Sequence, residues 1–162
     1  MESSNFGLAR YNADGSLDET FGTGGLVSTD IQANSVDQGR ALTIQDDGKV
    51  LVTGSTFVSG RGQVLTIARY GTDGSLDPSF GRDGIVTSNL SSQSQSGHDI
   101  VVSGNRILVA GSHYEQFDED FQSNEFLLAA YNISNGSLDT SFGDEGFVTT
   151  DFSEEELSLI HI

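Results

Sequence analysis

Leu65-Thr66-Ile67-Ala68-Arg69-Tyr70-Gly71-Thr72-Asp73-Gly74-Ser75-Leu76-Asp77-Pro78-Ser79-Phe80-Gly81-Arg82-Asp83-Gly84-Ile85-Val86 is the stretch whose reading decides the fold. A strand-like run, Leu65 to Tyr70, ends at Asp73-Gly74, a turn dipeptide. A Phe-Gly-x-x-Gly element follows, and then a short apolar run, Ile85-Val86-Thr87. The same order occurs twice more. Upstream stand Phe6 to Tyr11, Asp14-Gly15-Ser16-Leu17-Asp18, Phe21-Gly22 and Gly25-Leu26-Val27. Downstream stand Phe126 to Tyr131, Asn135-Gly136-Ser137-Leu138-Asp139, Phe142-Gly143 and Gly146-Phe147-Val148. Gly15 and Gly74 are 59 positions apart and Gly74 and Gly136 are 62 apart. A fixed period of this size is the mark of a repeat architecture.

A second segment recurs between these copies. Asp46-Asp47-Gly48-Lys49-Val50-Leu51-Val52-Thr53-Gly54-Ser55 matches Ser103-Gly104-Asn105-Arg106-Ile107-Leu108-Val109-Ala110-Gly111-Ser112. Asp47-Gly48 and Gly104-Asn105 read as hairpin turns. The runs Val50 to Val52 and Ile107 to Val109 are continuous and apolar, as suits strands covered on both faces by stacked sheets. Ala41-Leu42-Thr43-Ile44-Gln45 alternates like a half-buried strand. Each unit therefore reads as four antiparallel strands, and radial repetition of such units is the plan of a β-propeller. The fold class is all-β, with about two and a half blades. Residues 1–30 supply the last two strands of one blade, residues 31–90 and 91–152 each supply a complete blade, and 153–162 form a tail. Propellers close with about four to eight blades, so the chain is expected to be a slice of a larger protein or to assemble in copies. The only helix candidate is the short Glu154-Glu155-Glu156-Leu157 segment.

Composition excludes several functions. Asp and Glu number 24 against 7 Lys and Arg, for a net charge of −17. Phosphate backbones and anionic membranes would be repelled, so neither nucleic acid nor membrane insertion is expected. Without Cys there is no disulfide. No stretch is long enough to span a bilayer as a helix. Met1-Glu2-Ser3-Ser4-Asn5 carries no signal-peptide pattern.

The chemistry-bearing candidates are few. Asn12, Asp14, Ser16 and Asp18 alternate as in a calcium loop, but Gly71 replaces Asn12 in the second copy and Thr23 stands where the loop's bidentate Glu belongs. A turn capped by Asp14 and Asp18 is the competing reading. Asp118, Glu119 and Asp120 form the densest acidic patch, a second weak candidate for Ca²⁺, with Tyr114, Phe117 and Phe121 interleaved. No other cofactor is indicated. Phe21, Phe80 and Phe142 read as core anchors and Tyr11, Tyr70 and Tyr131 as packing residues with a polar tip. The Phe-Gly-x-x-Gly elements precede strands, so they are not phosphate cradles. His98 and His113 do not repeat, no nucleophile elbow accompanies them, and no His pair has zinc-ligand spacing. Three Asn-x-Ser triplets begin at Asn89, Asn132 and Asn135. No catalytic residue emerges, and a glycan-cleaving propeller would need paired carboxylates in a cleft.

The motifs resemble the delta-60 repeat family, a bacterial repeat of about this length regarded as propeller-forming. The residues that carry the resemblance are Leu8 to Asp18 with Phe21-Gly22-Thr23-Gly24-Gly25, Asp47 to Val52, and Ile67-Ala68-Arg69-Tyr70. The resemblance covers nearly all of residues 5–152. Ala130, where the other copies have Arg, and Asn135 in place of Asp depart from the pattern. The resemblance implies large secreted or surface proteins, frequently beside calcium-binding and adhesion modules, and no catalytic residue. The expected function is a non-catalytic structural or interaction module, extracellular or at the cell surface. Its expected partners are neighbouring blades, a second copy, or protein and glycan surfaces met by the loops near 57–64 and 113–125. The alternatives are a calcium-stabilised adhesion module and, in another class, a glycan-acting enzyme. Leu157-Ser158-Leu159-Ile160-His161-Ile162 resembles a translated sequencing-library adaptor, which would make the natural end lie upstream of it.

Overall fold

A computed structural model describes residues 3–88, 90, 94–116 and 122–151, with backbone alone at 115, 116, 122 and 123. Among them there is no helix. The chain forms ten strands in three antiparallel sheets. The first sheet pairs β1 (Phe6–Ala9) with β2 (Leu26–Thr29). The second runs in meander order through β3 (Asp37–Ile44), β4 (Val50–Val58), β5 (Gly62–Tyr70) and β6 (Ile85–Ser88). The third repeats that order with β7 (Gln95–Ser103), β8 (Arg106–Gln116), β9 (Gln122–Asn132) and β10 (Phe147–Thr150). The architecture is two four-stranded propeller blades and a two-stranded one, a partial propeller.

The turns are where the dipeptides placed them. Gly48 takes φ +81° between β3 and β4, and the Asp47 carboxylate accepts from the Lys49 amide at 3.2 Å. The first strand of each full blade carries a bulge, between Gly39 and Ala41 in β3 and between Gly97 and Asp99 in β7. Opposite them lie Gly54 and Gly111, where a Cβ would sit 1.8 Å from the Gln38 carbonyl oxygen and 2.1 Å from that of Ser96. The shared Gly-Ser of the second segment is thus a close backbone approach, which only glycine allows.

Burial follows from stacking. Leu51, Leu65 and Ile67 of the second sheet meet Ile107, Val109 and Leu127 of the third in one core, while Phe6 meets Val50, Val52 and Ala68 in a smaller core between the first two sheets. Val50, Leu51 and Val52 are all buried, because each face of β4 touches a different neighbouring sheet. Three expectations differ in the structure. Tyr11 is 62% exposed and Phe142 is half-buried, whereas Tyr70 and Phe80 are buried. Burial at these positions comes from the adjacent sheet, and among the described residues no sheet precedes that of Tyr11 and none follows that of Phe142. In β3 the large apolar residues Leu42 and Ile44 face outward. The segment at 57–64 is mostly strand, since β4 and β5 extend to Val58 and from Gly62 around a short turn. The loop at 117–121, the tail from 152 and Asn89 lie outside the described residues.

Candidate functional site

The most elaborate side-chain arrangement lies at the junctions between blades. Arg69, at the end of β5, is 3% exposed. Its Nε donates to Asp77 Oδ2 at 2.9 Å and its Nη2 to Ser79 Oγ at 3.0 Å. Its Nη1 and Nη2 also donate to the carbonyl oxygens of Ile133 and Ser134 in the next repeat. The guanidinium lies 4.4 Å from the centroid of the Phe80 ring, a cation–π distance. Arg10 repeats the set with Asp18, Thr20, Phe21 and the carbonyl of Thr72. One planar fork can serve all these acceptors because its donors are fixed in direction.

The backbone joins in. Gly22 N–H donates to Asp73 O at 2.7 Å and Gly81 N–H to Asn135 O at 2.8 Å, so the first two Phe-Gly corners each bind the following Asp/Asn-Gly-Ser turn. The turn glycine is pressed against that corner. At Gly136, with φ +74°, a Cβ would lie 2.7 Å from Val86 Cγ2 and 2.8 Å from Phe80 Cε2. Tyr70 Oη donates to Thr29 Oγ1 of the preceding sheet at 2.9 Å. Tyr131 faces Ser88 at the same place without a well-aligned hydrogen bond, and its burial raises its pKa.

The third blade departs from this pattern in an ordered way. Ala130 stands where Arg10 and Arg69 stand. Arg106 of β8, at the position of Lys49, supplies the missing fork. Its Nε is 2.6 Å from Asp139 Oδ2 and its Nη2 is 3.0 Å from Ser141 Oγ. In the second blade Lys49 Nζ lies 3.1 Å from Asp77 Oδ2, so the basic residue at this position reaches the corner carboxylate in both blades.

The carboxylates considered for calcium have partners of their own. Asp14 accepts from Ser16 Oγ and N, and these bonds lower its pKa. Asp18 accepts from Thr20 Oγ1 and N and from Arg10 Nε, and its pKa is lowered by Thr20 first and Arg10 after. Burial works to raise the Asp77 pKa. The Ser79 hydroxyl and amide, Lys49 and the Arg69 charge outweigh it, and the group ends far below the ordinary carboxylate range. Among the described residues no three His, Asp or Glu side chains are grouped to hold a metal. Asp118, Glu119 and Asp120 lie outside the described residues.

The histidines sit in the third sheet. His98, in the β7 bulge, has Nε2 2.9 Å from Ser112 Oγ, and burial, with Arg40 second, lowers its pKa. His113 is buried with Nδ1 3.3 Å from Glu125 Oε2. Neither lines the shallow depression of about 640 Å³ bordered by Leu8, Ala9, Leu26 and Val27. No helix among the described residues is long and apolar enough to cross a membrane.

Stacked four-stranded meanders joined by one repeated junction define the class: this is a β-propeller repeat protein. A family profile described as a domain of unknown function (DUF5122) beta-propeller matches residues 2–21 and 45–80. Those segments hold Arg10, Asp18, Phe21, Lys49, Arg69, Asp77 and Phe80, which build the first two clasps. No curated protein matches the chain.

Proposed function

We propose that the chain is a non-catalytic structural and interaction module of the delta-60 kind, working within a larger secreted or surface protein of bacteria. One observation carries this reading. The corner residues that every repeat carries are held by a guanidinium, Asp18 and Thr20 by Arg10, Asp77 and Ser79 by Arg69, and Asp139 and Ser141 by Arg106, and Arg10 and Arg69 also donate to carbonyl oxygens of the following repeat. Groups committed to ion pairs in this way are not poised to exchange protons with a substrate. The net charge of −17 favours cationic or neutral partners over nucleic acid.

A paired screen tests the reading. The chain is run against immobilised glycans and cell-surface proteins for binding, and against the same glycans in solution for turnover. Saturable binding without turnover supports the module. Turnover that disappears in His98→Ala or His113→Ala would overturn it.

A further inference from the structure

The turn after the third strand of each unit holds a glycine, and in the last unit that glycine follows an asparagine: Asn135 stands where Asp14 and Asp73 stand. An Asn-Gly pair can modify itself, because a glycine nitrogen has no neighbouring Cβ to hinder its approach to the side-chain amide. The Gly136 nitrogen loses its proton and bonds to Asn135 Cγ. The Cγ–Nδ2 bond breaks, and ammonia leaves with that proton. Water then opens the cyclic imide at either carbonyl. One opening gives an ordinary aspartate. The other gives isoaspartate, whose main chain runs through the side-chain carbon and is longer by a methylene.

Asn135 is exposed and Gly136 is buried, so water reaches the amide while the attacking nitrogen is held. Gly136 N–H donates to Asn132 O at 2.8 Å, and Asn135 O accepts from Gly81 N–H at 2.8 Å. The Arg69 fork binds the carbonyls of Ile133 and Ser134 just ahead. Asn135 Oδ1 accepts from Ser137 N at 3.0 Å, which fixes the side-chain amide in an Asx turn. Ring closure needs the amide and the Gly136 nitrogen to swing together, and each is bonded elsewhere. We propose that Asn135-Gly136 is a deamidation site whose rate is set by the junction between the second and third sheets. The closed junction blocks cyclisation and a local opening releases it. The two products act on the junction in opposite ways. Asp14 and Asp73 each accept from both the amide and the hydroxyl of the serine two positions on, whereas among the described residues Asn135 Oδ1 accepts only from the Ser137 amide. Ser137 Oγ accepts from Asn132 Nδ2, which leaves its hydrogen for a carboxylate, so the aspartate is accommodated. Isoaspartate turns the carbonyl that binds Gly81 N–H into a free carboxylate and drives Gly136 against Phe80, which unfastens the junction.

The other two turns supply the comparison. A Cβ at Gly15 meets nothing within 4 Å, whereas one at Gly74 lies 2.8 Å from Gly22 N, and Gly22 N–H binds the Asp73 carbonyl at 2.7 Å. Asp14→Asn and Asp73→Asn, made together in the full chain, set one unclasped and two clasped Asn-Gly-Ser turns side by side. The chain is warmed at mildly alkaline pH, in buffer and in urea, and peptide mapping by mass spectrometry counts aspartate and isoaspartate at positions 14, 73 and 135. In buffer, positions 73 and 135 should convert at least about tenfold more slowly than position 14, since cyclisation there waits on local opening; in urea the three rates should converge. Arg69→Lys, which loses the fork's bonds to Ile133 and Ser134, should speed position 135 severalfold and leave position 14 unchanged. Asn135→Asp should keep or raise the urea midpoint, and chains that have become isoaspartate at 135 should lose protection of Gly81 N–H. Equal rates at the three positions in buffer would overturn the proposal, as would a rate at 135 that is the same in buffer and urea. So would isoaspartate chains that keep Gly81 protected, or a lower midpoint for Asn135→Asp.

Discussion

Replacing Arg69 by Ala removes the centre of a blade junction. The Arg69 and Asp77 side chains are 4% and 11% exposed and their ion pair spans 2.9 Å. Loss of one member of a buried pair costs about 3–5 kcal/mol, since the other charge is left without its partner. Lys49 remains 3.1 Å from Asp77 and offsets part of this, which places the expected loss near the lower end, about 3 kcal/mol. With a urea m-value of about 2 kcal/mol/M, the midpoint falls by roughly 1.5 M. Arg69→Lys keeps the charge but not the fork, and should recover only part of the loss. Arg10→Ala is the control, because it removes the corresponding contacts, with one cross-repeat carbonyl bond in place of two, at a site where the two side chains are 34% and 22% exposed. Water screens that pair, so its midpoint should move far less. The assay is urea unfolding followed by circular dichroism on material of defined mass. Equal shifts for Arg69→Ala and Arg10→Ala, or a shift under about 0.3 M for Arg69→Ala, would refute the reasoning that the buried fork holds the second and third blades together.

Gly15 and Gly136 both have positive φ, but a Cβ at Gly15 meets nothing within 4 Å while one at Gly136 meets Val86 and Phe80. Gly136→Ala should therefore cost about 1–3 kcal/mol more than Gly15→Ala in the same unfolding assay. Tyr70→Phe removes a bond to Thr29 and should cost about 1 kcal/mol, whereas Tyr131→Phe, whose hydroxyl lacks a well-aligned partner, should be close to neutral. The pKa of Asp77 is depressed in the folded state, so the unfolded chain binds its proton first. Its contribution is full above the ordinary carboxylate pKa near 4 and is lost as the pH falls below that value; the acid limb of a stability–pH titration should flatten in Asp77→Asn.

Strands and turns were legible in the sequence because their signals are local. Asp47-Gly48 needs only its own backbone angles, and Val50 to Val52 announces a strand by composition. Exposure was less legible, since it depends on the neighbouring sheet. The alternation of Ala41 to Gln45 says that one face is covered, but not that Leu42 and Ile44 lie on the bare side. Tyr11 and Tyr70 have the same local sequence and opposite burial for that reason. The clasp was half visible. Repetition of Arg, Asp and Phe marked the residues, and a calcium loop or a capped turn both fitted the spacing of Asp14 and Asp18. The guanidinium bonds across repeats join residues more than sixty positions apart, beyond any local pattern. Ala130 showed as a departure; its compensation by Arg106 became apparent only once β8 and the Asp139 turn were brought together. The available signal was the basic residue shared by positions 49 and 106.

The account claims that one junction, repeated, stacks these blades, and the amides that cross it report on it directly. Gly22 N–H and Gly81 N–H donate to Asp73 and Asn135 of the following repeat, whereas Gly143, at the same point of the third repeat, has no following turn among the described residues. Amide hydrogen exchange resolved at these three glycines is the measurement. The account predicts that Gly22 and Gly81 are protected like the central strands while Gly143 exchanges rapidly. Rapid exchange at all three, in a chain whose strand amides remain protected, would contradict it.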